Sequence, residues 1–149
     1  MKYLLNSLLT AIALATAASA QRTSIGDPSM NTQVIAGTNL DVRIDLQPTT
    51  SNVDQVGIAI GLQSCQPEQC FPPDQVLGTL LYKGAYDPQY SSEASSLPPH
   101  QNFSVYIPED FPRGNAILGL VHLGLVGAGY LSVFDTYNIT VDVVDNYYY

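Results

Sequence analysis

Apolar and polar residues alternate with a period of two along much of the chain. Leu40, Val42, Ile44 and Leu46 alternate with Asp41, Arg43, Asp45 and Gln47, which predicts a half-buried strand with a charged outer face. Val56, Ile58, Ile60 and Leu62 alternate with Gly57, Ala59 and Gly61, a strand whose second face is closely approached. Phe103, Val105 and Ile107 alternate with Asn102, Ser104 and Tyr106, and Ile139, Val141 and Val143 with Asn138, Thr140 and Asp142. Leu77 to Tyr86, carrying Leu80, Tyr82 and Tyr86, adds a strand. Ala116 to Leu125 is nearly continuously apolar, the pattern of a central strand buried on both faces. A short edge strand is expected over Thr23 to Ile25.

Turn signals separate these runs: Ala36-Gly37-Thr38-Asn39, Gln47-Pro48, Phe71-Pro72-Pro73, Leu97-Pro98-Pro99, Phe111-Pro112-Arg113-Gly114 and Gly127-Ala128-Gly129. No window supports an amphipathic helix of useful length. About seven short strands in this span predict an all-β fold, an immunoglobulin-like antiparallel β-sandwich. Asp87 to His100 is rich in Ser and Pro and is expected to be a loop between strands.

The first residues break the pattern. Lys2 is followed by an apolar run from Leu4 to Ala17, and Ala18-Ser19-Ala20 is a small-x-small cleavage pattern. Residues 1–20 therefore read as an export signal, with the mature start at Gln21 and a single domain over 21–149. The apolar run falls short of the ~20 residues that a spanning helix needs. The mature part sets 13 acidic residues against Arg22, Arg43, Lys83 and Arg113. This charge disfavours nucleic-acid or anionic-membrane partners, which call for cationic patches.

An exported pair of cysteines, Cys65 and Cys70, is expected to form a disulfide. Its loop is too short to do more than pin a local turn. The rival is a redox site, but C-x-x-x-x-C with Pro67 inside departs from the C-x-x-C spacing such sites use. Asn102-Phe103-Ser104 and Asn138-Ile139-Thr140 are glycosylation sequons, and both asparagines fall on the polar phase of their strands.

Candidate chemistry is sparse. His122 lies in an apolar run and is expected to be a hydrogen-bonded core or interface residue; His100 sits beside two prolines. Neither is spaced for a metal, and no G-x-S-x-G elbow occurs. The carboxylates Glu109-Asp110 and Asp142/Asp145 are poorly placed to flank a bond. No catalytic residue, metal or cofactor is expected. Tyr82, Tyr86 and Tyr90 recur at four-residue spacing and Tyr147 to Tyr149 close the chain. Tyrosine suits recognition surfaces, and ordinary strand packing explains Tyr82 and Tyr86 equally well.

The C-terminal third reads Phe103-Ser-Val-Tyr-Ile-Pro108, Phe111-Pro-Arg-Gly-Asn-Ala116, His122-Leu-Gly-Leu-Val-Gly-Ala-Gly129 and Tyr137-Asn-Ile-Thr-Val141. With Leu77 to Tyr86, it resembles the necrosis-inducing secreted protein family of fungi, over most of residues 23–144. The resemblance implies a secreted effector in plant infection. It implies association with host cell death and suppression of pattern-triggered immunity, by binding receptor-associated kinases of the host plant and lowering their activity. It carries over no catalytic residues. The expected surface comprises Tyr82 to Tyr90, the Cys65–Cys70 loop and the Gly124 to Gly129 turn, on a monomer acting in the host extracellular space or inside the host cell. The alternatives are a carbohydrate- or cell-wall-binding module, against which the absence of Trp counts, and a hydrolase of unrecognised type.

Overall fold

The computed structural model describes residues 23–66 and 69–146. The expected export signal and Tyr147 to Tyr149 lie outside the described residues. Among the described residues eight strands form: β1 (Thr23–Asp27), β2 (Thr32–Ile35), β3 (Asn39–Leu46), β4 (Val53–Ser64), β5 (Thr79–Gly84), β6 (His100–Tyr106), β7 (Gly114–Val126) and β8 (Leu131–Val144). No helix occurs among the described residues.

The strands build two sheets, ordered β1-β3-β6 and β2-β8-β7-β4-β5. Their inner faces are the apolar phases of the alternation. Val42 and Ile44 of β3 and Phe103 and Val105 of β6 are buried with Ile58, Ile60 and Leu62 of β4. Ala116, Leu118 and Leu120 of β7 and Ile139, Val141 and Val143 of β8 complete the same core. Each fully buried aliphatic side chain of this kind contributes roughly 1.5–3 kcal/mol. The fold is the all-β sandwich that the periodicity predicts.

Four local features depart from expectation. First, β2 pairs with β8 in parallel, Val34 opposite Val143, so the larger sheet is mixed. The chain leaves the small sheet after β1 and joins the large one at β2 without reversing direction, which sets β2 alongside β8 in the same sense. Second, a bulge between Gln55 and Gly57 shifts the register of β4 against β7. It turns Val56, expected in the inward row, out to solvent. Third, Asp45 is buried instead of lying on an open charged face. Arg43 Nε donates to its Oδ1 at 2.8 Å, and Arg43 Nη2 donates to the Gly26 carbonyl at 2.9 Å. The hydrogen bond to Asp45 holds the Arg43 guanidinium above its ordinary pKa. Fourth, the outer face of β7 is covered at one end only. A Cβ on Gly61 would lie 2.6 Å from the Leu77 side chain, and one on Gly119 would lie 3.1 Å from Leu77 and Pro73. Pro73 and Leu77 thus lie over that end of the sheet, and Gly61 and Gly119 leave room for them.

The sandwich has two unlike ends. Residues 47–52, 85–99 and 127–130 gather at one end, where the Gly127 amide donates to the Asn52 carbonyl at 3.1 Å and Leu46 to the Pro99 carbonyl at 2.8 Å. Residues 36–38, 65–66, 69–78 and 107–113 gather at the other, where Gly37 donates to the Ile107 carbonyl and Cys65 to the Asn115 carbonyl.

Candidate interaction surface

The three tyrosines do not share a surface. Tyr86 is only 2% exposed. Its hydroxyl donates to the Ile44 carbonyl of the opposite sheet at 3.3 Å, and its ring stands edge-on to the His122 imidazole at 5.6 Å. A side chain placed this way ties the sheets together and has nothing left to offer a partner, so Tyr86 is removed from the expected binding residues. Tyr82 is half-buried, stacked at a tilt on Phe103 at 4.6 Å, and its hydroxyl donates to the Ala85 carbonyl. Tyr90 alone of the three is open, at 70% exposure.

Cys65 and Cys70 form the expected disulfide. Gln63 clamps the same loop: its Oε1 accepts the Phe71 amide at 2.7 Å and its Nε2 donates to the Val76 carbonyl at 3.1 Å. This loop is at the opposite end from Tyr90 and from the turn after β7, so the three expected contact regions do not form one patch. Asn102 and Asn138 are both exposed, on the outward phases of β6 and β8.

His122 is fully buried. It is 2.6 Å from Gln55 Oε1 through Nε2 and 3.4 Å from Asp135 Oδ2 through Nδ1. It is the hydrogen-bonded core histidine that its apolar surroundings suggest. His100 Nδ1 lies 2.8 Å from the Pro98 carbonyl oxygen and fastens the loop to its own strand. No group of three or more His, Cys, Asp or Glu side chains is arranged for a metal among the described residues.

What the structure brings together is an apolar surface that periodicity concealed. Leu123 and Phe134 are register partners on β7 and β8, and Val56 projects from the bulge of β4 beside them. They are 38%, 60% and 50% exposed; at the hairpin between β7 and β8, Tyr130 and Leu131 are also exposed, at 63% and 69%, with Leu131 on the opposite phase of β8 from Phe134. Tyr130 has a φ of 49°, a left-handed conformation that costs a residue with a Cβ roughly 1–2 kcal/mol and is normally given to glycine. At this hairpin is a hollow of about 280 Å³ lined by Asn52, Asp54, Leu125, Gly127, Ala128 and Tyr130. The one sequence signal for this surface is the excess of apolar residues on both phases of 121–134. It reads as two-sided burial within the chain and is instead one buried face and one exposed face.

The Nis1 family model matches residues 18–142. Among curated proteins, none matches. Among solved structures, a superoxide reductase (neelaredoxin) from Ignicoccus hospitalis is similar at 12% identity, covering 85% of this chain and 81% of that one, with a TM-score of 0.44. A variant of the same protein gives 13% identity over the same shares, with a TM-score of 0.45.

Proposed function

Because the chain belongs to the Nis1 family of necrosis-inducing secreted effectors, we propose that it is exported and acts on plant proteins by binding them. The targets in this reading are the kinases associated with immune receptors at the cell surface. Occupancy lowers their activity, suppresses pattern-triggered immunity and leads to host cell death. The protein works as a ligand and not as a catalyst.

The observation that supports binding is the exposed apolar row Val56, Leu123 and Phe134 on the outer face of the larger sheet, with the exposed Tyr130 in the hairpin that follows β7. Contiguous apolar surface at an exposed sheet end is the kind of feature that marks interaction sites.

The test is direct binding of residues 21–149 to purified cytosolic domains of plant immune-receptor kinases, with phosphorylation followed in parallel. Micromolar or tighter binding with reduced phosphorylation is the expected result. Absence of binding by a correctly folded protein, together with its depletion by insoluble chitin or cellulose, would overturn this reading in favour of a carbohydrate-binding module.

A further inference from the structure

The hollow at the β7–β8 hairpin has a definite chemistry. Asp54 stands at its wall, opposite Leu125 in the β4–β7 register, and forms no ion pair among the described residues. The cations nearest in kind are engaged elsewhere: Arg43 by Asp45 and Arg113 by Asp145. Tyr130, Leu125 and the turn residues Gly127 and Ala128 line the same hollow. An unpaired carboxylate beside an aromatic face is what a lysine or arginine side chain requires: a charge-assisted hydrogen bond at its head and a ring against its stem. Anions are repelled, since the exported chain carries a net charge of −9 with Lys2 removed.

The geometry points to a docking site for a basic side chain of a partner protein, lysine or arginine. It is held between Asp54 and Tyr130, with a neighbouring apolar residue of the same segment laid on Leu123 and Phe134. This deepens, and rests on, the reading of the chain as a binding protein. The strained conformation of Tyr130 supports it. A glycine would relieve the positive φ, so the ring is kept at the hairpin tip at a cost to the fold, as residues at recognition sites often are.

The site can be tested without any plant protein, so its failure and that of the kinase reading are separable. Mature protein is titrated with the peptide acetyl-Leu-Arg-Leu-amide while backbone amide shifts are followed by NMR. The same peptide with citrulline in place of arginine keeps the shape and removes the charge. The arginine peptide is expected to move amides of Asn52, Asp54, Leu125, Gly127 and Tyr130, with affinity about tenfold above that of the citrulline peptide. Asp54→Asn should abolish that tenfold difference. Tyr130→Gly should weaken the arginine peptide severalfold while leaving the protein at least as resistant to urea. Equal response to the two peptides, shifts centred elsewhere, or no shifts at millimolar peptide would each overturn the proposal. A kinase domain that binds wild type and Asp54→Asn equally would leave the functional reading standing and dismiss this site.

Discussion

Replacing Tyr86 with alanine decides whether this residue is a contact or a tie between sheets. Its ring is enclosed by both layers, and its hydroxyl reaches across to the Ile44 carbonyl while the ring edge meets His122. Truncating a buried aromatic to alanine costs about 3–5 kcal/mol, from lost transfer energy and the cavity left behind. For a domain of this size that is a fall of roughly 10–20 °C in melting temperature. Tyr86→Phe keeps the ring and loses only the hydrogen bond, about 1 kcal/mol. Tyr90→Ala, at an open position, should stay within about 0.5 kcal/mol of wild type. Urea unfolding of residues 21–149, followed by far-ultraviolet circular dichroism, measures all three variants on one scale. The expected order of loss is Tyr86→Ala, then Tyr86→Phe, then Tyr90→Ala. A Tyr86→Ala variant within about 1 kcal/mol of wild type would refute the argument, because no enclosed ring can be removed so cheaply. Lost partner binding in that variant would then follow from lost fold and say nothing of contact.

Two further expectations concern conditions. Burial, reinforced by the nearby Asp45 carboxylate, pushes the Tyr86 phenol well above its ordinary pKa of 10.0. The folded state therefore keeps a proton that the unfolded chain loses, so this contribution to stability is complete below about pH 10 and falls away as the pH rises beyond it. Unfolding free energy between pH 9 and pH 11 should fall more steeply for wild type than for Tyr86→Phe, and equal slopes would contradict the assignment. Opening the Cys65–Cys70 bridge closes no long loop, so chain entropy predicts a loss of about 2 kcal/mol or less. The Gln63 clamp on Phe71 and Val76 survives reduction, so circular dichroism of the reduced protein should keep its strand signature. A general collapse on adding reductant would show that the loop holds more of the fold than this.

The strands were largely legible because burial on one face imposes a period of two, and that period survives without any knowledge of partners. What alternation cannot carry is an inserted residue or a change of element. Val56 kept the inward phase on paper and lost it at the bulge before Gly57. Tyr82, Tyr86 and Tyr90 share a phase, yet β5 ends at Gly84. Beyond it the chain bends, and one tyrosine is buried while another is free. β2 was invisible because four residues with a single buried side chain, Val34, make no periodic signal. Asp45 misled for another reason: its polarity is answered within the fold by Arg43, and composition alone does not reveal such pairing.

The same limit explains why the exposed apolar row was not legible. An apolar residue on a strand records that water is to be excluded there, but not whether the excluding group belongs to the same chain. On β7 both answers occur along one face: the Leu77 and Pro73 side chains cover the sheet at Gly119, whereas Leu123 is left 38% exposed. Asn138 stands opposite Gly119, four residues along β8 from Phe134, a separation of roughly 14 Å on an extended strand. Asn102 projects from the other sheet. Sugar on both sequons would shield the two broad faces and leave the hairpin end uncovered. A partner approaching that end meets Tyr130, Leu131 and the Asp54 hollow first. The strained tyrosine at the hairpin tip and the Asp54 carboxylate, which forms no ion pair among the described residues, thus fall at the end of the molecule away from the loop insertion and from both sequons.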